Sequence, residues 1–474
     1  MVQEPPFFIT PFQYFCLGRC GYCSLDKEPR PLGGQKLPDA AEGELSPTHI
    51  TIGAEVVVMS CKDYEKCMNM GYRRSGTFLY KGDMLRGCCR LYTIRTNLQH
   101  LKISKKHRQV VNRFKKAILS GPKTQLLSKS FDLKSLIEAE QRSMRFRTVY
   151  EPASFSEEKY QLYVKYQTRV HNDKPEDVPR RQFRRFLIET PLARDQTLGG
   201  EDWDILDSWV KNWKRDTPLP TNTRIGPTHE CYYLDGKLVA ISVMDFLPSS
   251  LSSVYFIWDP DYAHLSLGTL LSLREILLCN ELKIPYYYLG YYVKDCSKMR
   301  YKAKFGGEIL DVCNNVFVPL NKMDQLLEKD QLWTLGNLNE KGEAEIQKEL
   351  FLYFKEEPPV YDGEVANAAN AIYGHSRVYA DAMDALNKII EEFKCDGFDI
   401  PAVTPGLLPM PQILEDLRKR WKGFSVSIFL KHSVSKQLSD LDPISLSRVV
   451  DLIRLLGWDL VENRLLIVMP DLSE

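Results

Sequence analysis

A series of apolar segments between residues 229 and 320 limits the folds open to this chain more than any other feature. Two strand-like segments, "HECYYLDGKLVAISVMDFL" over 229–247, meet at Asp235 and Gly236, a pair that favours a tight hairpin turn. The segments that follow are, in order, a strand at 252–260, a helix at 265–282, a strand at 284–293, a short helix at 295–307 and a strand at 308–320.

That order predicts a mixed sheet with helices packed on it, and it is typical of the acetyltransferase-like (GNAT) fold. In that fold two neighbouring strands, here 252–258 and 284–292, part and leave a splay for an activated acyl donor. We predict an α+β chain in three parts: an N-terminal cysteine-rich metal or cluster domain with a basic belt over 1–148, an acyl-CoA N-acyltransferase-like (GNAT) mixed-sheet domain over 149–321, and a helical C-terminal extension packed on it over 322–474.

The overall composition is that of a globular chain. Of its 474 residues, 44% are hydrophobic and 26% are charged, and the formal net charge of +1 gives no general attraction to a polyanion. No apolar segment approaches the roughly 20 residues that span a bilayer, and the first residues lack the basic region of a secretory signal. We therefore expect no membrane partner and a cytoplasmic chain that is also found in the nucleus.

Four cysteines form two close pairs near the N-terminus. "CGYC" supplies Cys20 and Cys23, and "RGCCR" supplies Cys88 and Cys89. Clustered thiols in a reducing compartment more often bind metal than form disulfides, and four thiolates suit either zinc or an iron–sulfur cluster. Adjacent side chains of a strand point to opposite faces, so the second pair requires a bend, which Gly87 favours. The sequence predicts one four-cysteine site and does not separate the two cofactors; the alternative for either residue of the second pair is a small buried hydrophobe.

Basic residues concentrate in two places. Residues 73–116 contain thirteen Lys or Arg and one acid, Asp83, and a second cluster begins at Arg180. A segregated positive field attracts phosphates regardless of base sequence, which indicates an RNA surface, although 102–116 alone is typical of a solvated helix face. The predicted RNA-binding residues are Arg90, Arg95, Arg180, Arg181, Arg184 and Arg185.

Several motifs together resemble the arginyl-tRNA–protein transferase family of the fungal type. They run through most of residues 16–320 and include "CGYC", "CMNMGYRRSG", "CCRLYTIR", "EPASFSEEKYQLYVKYQ", "HECYY", "SSVYFIWDPDY" and "YYYLGYY". The resemblance implies transfer of arginine from arginyl-tRNA to the α-amine of proteins that begin with Asp, Glu or oxidised Cys, which marks them for ubiquitin-dependent degradation in the N-degron pathway. It also implies a GNAT-like fold with an N-terminal metal or cluster domain, and we expect a monomer.

The implied reaction is the aminolysis of an ester. An α-amine has a pKa of about 8 and is therefore partly neutral at cellular pH, while the ester is already activated by the tRNA. Such a reaction requires positioning and oxyanion stabilisation more than a strong nucleophile. The absence of a Gly-x-Ser-x-Gly motif is consistent with that requirement.

Candidate site residues follow from these tasks. An acceptor carboxylate is best bound by an arginine fork, for which Arg73 and Arg74 are the candidates. A weak base for the amine proton is His229, although a lone histidine is more often structural. The other predicted catalytic residues are Glu230, Tyr255 and Tyr301, and the other predicted substrate-binding residues are Asp245, Trp258, Asp259, Tyr291 and Lys302.

Alternatives remain for single residues and for the whole chain. Asp259 is equally suited to capping the turn at Pro260, and core packing accounts for most of the tyrosines in 286–292. An acetyl-CoA-dependent N-acetyltransferase is a second function, but "HLSLGTLL" over 264–271 has Gly268 without the preceding basic or amide residue and the second glycine of a pyrophosphate loop. A non-enzymatic zinc-type RNA-binding protein is a third.

Overall fold

The N- and C-terminal parts of this chain share one β-sheet. In a computed structural model, the described residues are 5–17, 20–23, 49–119, 132–192, 203–212, 226–327, 332–335, 360–361, 363, 368–429 and 433–469. They form an α+β structure with two mixed sheets, as predicted. The chain divides into two compact units: the first is Met1–Ile94, Tyr291–Arg300 and Glu308–Glu474, and the second is Arg95–Gly290 and Tyr301–Gly307. The three-part division predicted from the sequence stays a prediction.

The strands are numbered along the chain within the described residues. They are β1 (Phe7–Ile9), β2 (Gln13–Leu17), β3 (His49–Val58), β4 (Arg73–Ser75), β5 (Phe78–Gly82), β6 (Tyr92–Asn97), β7 (Phe146–Pro152), β8 (Gly226–Leu234), β9 (Lys237–Phe246), β10 (Ser250–Trp258), β11 (Tyr286–Tyr292), β12 (Gly307–Asp311), β13 (Val316–Pro319), β14 (Ser425–Phe429), β15 (Ser433–Gln437) and β16 (Leu465–Val468).

The α-helices of the same residues are numbered in the same way. They are α1 (Cys61–Asn69), α2 (Lys105–Ile118), α3 (Ser135–Arg142), α4 (Glu157–Tyr166), α5 (Arg180–Leu187), α6 (Trp203–Asn212), α7 (Leu267–Glu281), α8 (Asp324–Leu327), α9 (Ala369–Tyr373), α10 (Ser376–Phe393), α11 (Met410–Arg420), α12 (Pro443–Leu456) and α13 (Trp458–Asn463). None of the helices in the described part of the chain is both long enough and apolar enough to cross a membrane. Most of residues 328–367, in the predicted helical extension, lie outside the described residues.

The sheet of the first unit has the strand order β15-β14-β16-β1-β3-β5-β4, and β2 also pairs with β3. Its N-terminal strand β1 runs parallel to the C-terminal strand β16, with Phe7 opposite Leu465. The residues predicted as an extension therefore complete the sheet that carries the N-terminal strands. In the same unit, β12 and β13 form an antiparallel pair.

The second unit contains the strand order β11-β10-β9-β8-β7. The hairpin between β8 and β9 turns at Asp235 and Gly236, whose φ angles of 50° and 79° are those of the predicted tight turn. Strands β10 and β11 are parallel and pair only from Ser250 opposite Tyr286 to Ser252 opposite Tyr288, while β10 continues to Trp258. The pairing of the two strands thus ends at the position where the sequence predicts a splay.

The core of the second unit lies against both faces of these strands. On one face, Tyr163 of α4 and Phe183 of α5 pack with Ile241 of β9 and Ile257 of β10. Helix α7 is almost entirely buried and packs on β10 and α2. The helix predicted at 265–282 is therefore confirmed, whereas the one predicted at 295–307 is wrong in extent: only the 3-10 helix Arg300–Phe305 forms, and a turn precedes it.

Candidate metal centre and active site

Four cysteine sulfurs converge in the first unit. Cys20 and Cys23 follow β2, and Cys88 and Cys89 lie in the turn between β5 and β6. The Sγ atoms of Cys20 and Cys89 are 3.9 Å apart, those of Cys23 and Cys88 are 3.6 Å apart, and all four lie within 4.8 Å of one another. The structure therefore brings together the four residues that the sequence analysis selected.

The bend that the second cysteine pair requires is built around Asp83. Its carboxylate accepts hydrogen bonds from the backbone N–H of Leu85 at 2.8 Å and of Arg86 at 3.1 Å. The N–H of Gly87 donates to the Asp83 carbonyl at 2.9 Å, and a Cβ on Gly87 would lie 2.7 Å from that oxygen, so a side chain does not fit. Glycine thus allows the close turn that directs both thiols to one point.

The four thiols influence one another electrostatically. Hydrogen bonds from Cys88 and Cys89 lower the pKa of Cys20, and the bond with Cys20 raises the pKa of Cys89. Burial raises the pKa of Cys23. One thiolate is thus favoured by its neighbours, and deprotonation of all four requires a cation among them. The donor set fits a soft metal ion or an iron–sulfur centre.

Apolar side chains enclose the thiols within the first unit. Leu91, Tyr291, Val293 and a fifth cysteine, Cys296, pack against the four metal candidates. Cys296 was not predicted as part of this site, because its spacing from the other cysteines does not indicate a shared metal. Such a shell limits the access of water to the sulfurs, which protects a metal–thiolate site.

The two predicted acceptor arginines lie on β4 and are buried. Arg73 donates to the carbonyl oxygens of Tyr72 at 2.5 Å and Met68 at 3.4 Å, and its guanidinium lies 5.4 Å from the centre of the Tyr291 ring. Arg74 donates to the carbonyl of Gly76 at 3.3 Å. The structure thus places two of the predicted substrate-binding residues, Arg73 and Tyr291, side by side.

Glu230, predicted as catalytic, lies on β8 in a buried ion-pair network of the second unit. Its carboxylate binds the guanidinium of Arg274 on α7 and accepts a 2.5 Å hydrogen bond from the Tyr232 hydroxyl. Arg274 also pairs with Glu140 at 2.9 Å, and the residue is only 2% exposed. Glu230 itself is fully buried, and in this structure its carboxylate forms an ion pair with the buried guanidinium of Arg274.

His229 is fully buried beside Glu230. Its Nδ1 lies 3.1 Å from Nζ of Lys159, which can only donate, so Nδ1 accepts and Nε2 donates to the Leu187 carbonyl at 3.1 Å. Burial and the nearby Lys159 lower the pKa of His229 to about 3. The imidazole is therefore neutral at cellular pH, with both nitrogens engaged.

Asp245 and Asp259 differ in their surroundings. Asp245 is fully buried on β9. Asp259 caps the 3-10 helix Pro260–Leu265 by accepting from the N–H of Asp261 at 3.0 Å, which is the alternative role noted from the sequence. It also accepts from Nζ of Lys237 at 2.7 Å and pairs with Lys165, and these hydrogen bonds lower its pKa despite the opposing effect of burial.

Aromatic candidates line the end of β10. The Tyr255 hydroxyl donates to Gln167 at 2.9 Å, and the Trp258 ring packs on Tyr166 with centroids 5.6 Å apart. Two further candidates, Tyr301 and Lys302, lie on the 3-10 helix Arg300–Phe305 in the same unit. Nζ of Lys302 is 3.9 Å from the point where a Cβ on Gly290 would lie.

The six predicted RNA-binding arginines separate into buried and exposed groups. Arg90 is buried and donates to the carbonyl of Gly87 at 2.7 Å, which supports the cysteine turn. Arg95 is fully buried, with its guanidinium 3.9 Å from the centre of the Tyr286 ring. The other four lie exposed on α5; among them Arg180 pairs with Glu157 at 2.8 Å, and Arg184 stacks on Phe155.

Comparison with known proteins decides the family. Residues 18–109 match "Arginine-tRNA-protein transferase, N terminus" and residues 158–311 match "Arginine-tRNA-protein transferase, C terminus". A relative from Saccharomyces cerevisiae, "Arginyl-tRNA–protein transferase 1", is 37% identical over 444 residues, which are 86% of this chain and 86% of that protein. The chain belongs to the arginyl-tRNA–protein transferase family. The resemblance drawn from its motifs is thereby confirmed.

Other known proteins are similar to a smaller part of this member of the arginyl-tRNA–protein transferase family. An "Aspartate/glutamate leucyltransferase" from Marinobacter nauticus is 33% identical over 155 residues, which are 32% of this chain and 52% of that protein. Among solved structures, the C-terminal domain of a lysylphosphatidylglycerol synthetase from Agrobacterium fabrum matches with a TM-score of 0.25 and 12% identity, over 50% of this chain and 60% of that chain.

The buried groups around the candidate residues of this family member were not predicted from the sequence. Glu275 on α7 accepts hydrogen bonds from the hydroxyls of Ser242 and, at 2.6 Å, Tyr287, and burial raises its pKa to about 8. Lys159 is buried and pairs with Glu151. The sequence does indicate that Glu275 is a buried charge, because "SLREILL" places an arginine and a glutamate inside an otherwise apolar helix.

Proposed function

We propose that this protein transfers arginine from arginyl-tRNA to the N-terminal α-amine of proteins that begin with Asp, Glu or oxidised Cys, and so feeds the N-degron branch of ubiquitin–proteasome degradation. The observation that carries the proposal is the similarity to the yeast transferase over 86% of both chains. The name of the bacterial relative, which couples leucine transfer to aspartate and glutamate, supports acidic acceptors.

In the proposed reaction, the α-amine nitrogen attacks the carbonyl carbon of the arginyl ester. A peptide bond forms, the ester bond to the tRNA breaks, and one proton passes from the amine to the departing ribose oxygen. Where the pairing of β10 and β11 ends after Ser252 and Tyr288, main-chain groups of β10 face away from β9. Such groups suit the binding of an acyl donor and of the oxyanion, which supports a GNAT-like arrangement. Tyr255, Trp258, Tyr301 and Lys302 are the side chains proposed to bind the adenosine end and the ester.

For the acceptor, we propose that Arg73 and Arg74 bind the carboxylate of the first residue. Both guanidinium groups are buried on β4, where a charge-assisted hydrogen bond to a carboxylate is stronger than in water. Arg73 also lies over Tyr291, whose ring orients the guanidinium. Their presence in the "GYRRSG" stretch, inside the matched N-terminal family region, supports the assignment.

For the four cysteines, we propose one bound metal centre. Zinc–sulfur bonds of about 2.3 Å place the sulfurs of a tetrahedral site about 3.8 Å apart. The separations of 3.6 Å and 3.9 Å therefore favour a single ion, such as zinc, over a larger iron–sulfur cluster. A bound ion would neutralise the thiolates and join residues 20–23 to the turn before β6, which stabilises the fold of the first unit.

The proposed partners are arginyl-tRNA and proteins with acidic N-termini. The family supports a cytoplasmic location, while the monomeric state and a nuclear location stay predictions. Calorimetric titration of the full chain with arginyl-tRNA, uncharged tRNA and acetyl-CoA separates the three functions considered. Binding of both tRNA forms, with labelled arginine then appearing on an Asp-initiated peptide, is expected. Acetyl transfer from acetyl-CoA, or tRNA binding without transfer, would reject the proposal in favour of an acetyltransferase or an RNA-binding protein.

A further inference from the structure

We propose that the exposed face of α2 is an RNA-binding surface that contacts the phosphate backbone of the tRNA. This inference rests on the proposed function and adds the surface through which the RNA is bound. The sequence of α2, "KKHRQVVNRFKKAI", contains six Lys or Arg and no acid. Its apolar stripe, with Val111, Phe114 and Ile118, is buried. The exposed cations on the opposite side are Lys105, Lys106, Arg108, Arg113 and Lys116.

The charge on α2 differs from that on two other exposed helices, α10 and α11. On α10, Arg377 pairs with Asp381 and Lys388 with Asp384, each one turn away. On α11, Lys419 pairs with Glu415. The cations of these helices are therefore largely neutralised by their own neighbours.

By contrast, Lys105, Lys106 and Lys116 of α2 have no carboxylate within ion-pairing distance in the part of the chain that the structure describes. Among the described residues, three positive charges therefore lie along a helix of about 20 Å without a carboxylate to balance them. When such lysines neutralise the phosphates of a nucleic acid, the counterions condensed on that nucleic acid are released. This release is a major source of the binding affinity.

The position of α2 connects this face to the proposed donor site within the second unit. Nη2 of Arg113 donates a 2.6 Å hydrogen bond to Oγ of Ser266, the residue before α7. Two residues further on is Gly268, and a Cβ added to this glycine would lie 3.8 Å from Nε1 of Trp258 at the end of β10. An RNA backbone that follows α2 toward Arg113 therefore approaches the strand end where the ester is proposed to bind.

At the other end of α2, His107 stacks on Phe305 with ring centroids 5.0 Å apart. Phe305 ends the 3-10 helix that carries Lys302 and the exposed Lys304. The positive face thus continues onto a second element of the same unit. Of the six arginines predicted from the sequence, Arg90 and Arg95 fit this task less well, because they are buried.

RNA is a better partner for this face than a membrane or an acidic protein. The exposed positions between the cations are polar, Gln109 and Asn112, and supply no apolar group for insertion into lipid. Polar and basic groups arranged along one helix suit a continuous phosphate backbone.

The test measures the affinity of the full chain for uncharged tRNA by fluorescence anisotropy over a series of KCl concentrations. The variant Lys105→Gln/Lys106→Gln/Lys116→Gln removes three charges from α2. The matched control, Arg377→Gln/Lys388→Gln/Lys419→Gln, removes three exposed charges from α10 and α11. The α2 variant is expected to bind about 10-fold more weakly at low salt, and the slope of log affinity against log salt is expected to decrease by about 2 to 3. The control is expected to match the wild type.

An unchanged slope in the α2 variant, or an equal loss in both variants, would overturn the inference. So would displacement of the tRNA by polyglutamate at matched charge, since the face would then prefer acidic protein. Circular dichroism confirms that each variant is folded. Arginine transfer by the wild type separates the two proposals: transfer with an unaffected α2 variant rejects only the surface, whereas a wild type that neither binds tRNA nor transfers arginine rejects the function itself.

Discussion

The Sγ atom of Cys23 lies 3.6 Å from that of Cys88, although 65 positions separate the two residues in the chain. The turn that makes this approach possible is fixed by Asp83 and Gly87 and by the hydrogen bond from Arg90 to the Gly87 carbonyl. Two distant segments therefore meet at one point through their sulfurs, and the proposed metal centre would tie them together.

The first prediction concerns metal content. Anaerobically purified wild-type protein is expected to contain one metal centre, and Cys88→Ser is expected to lose it because a hydroxyl is a much weaker ligand for a soft ion. Metal analysis and a visible spectrum measure the outcome, and a colourless, zinc-loaded protein agrees with the sulfur separations. Chelation is also expected to lower the melting temperature, since a structural ion stabilises only the folded state.

Cys395→Ser is the matched control, because Cys395 is buried in the first unit away from the four sulfurs. It should retain the metal. Equal metal content in wild type and Cys88→Ser would contradict the four-cysteine site, and strong visible absorption with stoichiometric iron and sulfide would replace a single ion by a cluster.

The second prediction concerns the buried Arg274. Its replacement by Met leaves the carboxylates of Glu230 and Glu140 buried without their cation, and breaking such a pair costs about 3–5 kcal/mol. Denaturant unfolding should show this loss of stability. Arg377→Met, which removes an exposed ion pair, is expected to change the free energy of unfolding by no more than about 1 kcal/mol.

Glu230→Gln then separates structure from catalysis. If Glu230 acts mainly through Arg274, the variant is expected to unfold more easily while keeping its kcat for arginine transfer at a temperature well below its melting point. A kcat reduced about 100-fold with unchanged stability would instead establish Glu230 as a catalytic residue, as predicted from the sequence.

The third prediction concerns pH. Burial raises the pKa of Glu275 to about 8, above the value of about 4.3 for an exposed glutamate. The folded state therefore keeps a proton that the unfolded state loses, so the contribution of Glu275 to stability is complete below pH 4.3 and is lost as pH rises through about 8. Glu275→Gln, which resembles the protonated acid, should remove this part of the pH dependence. Parallel unfolding midpoints of wild type and variant between about pH 5 and pH 8 would contradict the shift.

Much of the fold followed from local signals in the sequence. The Asp235–Gly236 turn was predictable because few pairs adopt positive φ at both positions, and α7 because its apolar length exceeds that of a strand. The pairing of β1 with β16 was not, since no local pattern indicates which strand ends lie together. The extent of the 3-10 helix Arg300–Phe305 was missed because short polar segments with cations fit turns and helices equally well.

The candidate site shows a similar division. The four cysteines were found because clustered thiols in close pairs are typical of a metal site. The burial of His229 and Glu230 was not predictable, because β8 is covered on both faces and alternation along the strand no longer separates core from solvent. Whether a basic residue lies exposed, as Lys105 does, or buried, as Arg95 does, likewise depends on tertiary packing.

The fourth prediction concerns the acceptor arginines. Arg73→Lys keeps the charge but loses the planar fork, so the KM for an Asp-initiated peptide is expected to rise about 10-fold or more with little change in the KM for arginyl-tRNA. The melting temperature must be measured in parallel, because Arg73 also donates to the carbonyls of Tyr72 and Met68. Unchanged kinetics in both Arg73→Ala and Arg74→Ala would remove these residues from the acceptor site.

The most direct measurement compares two peptides that differ only in the first residue, Asp or Asn, as acceptors of labelled arginine from arginyl-tRNA. Because the two side chains have nearly the same shape, a site built around guanidinium groups should favour the Asp peptide in kcat/KM by about 100-fold or more. Equal transfer to both peptides, or transfer to neither, would contradict the account.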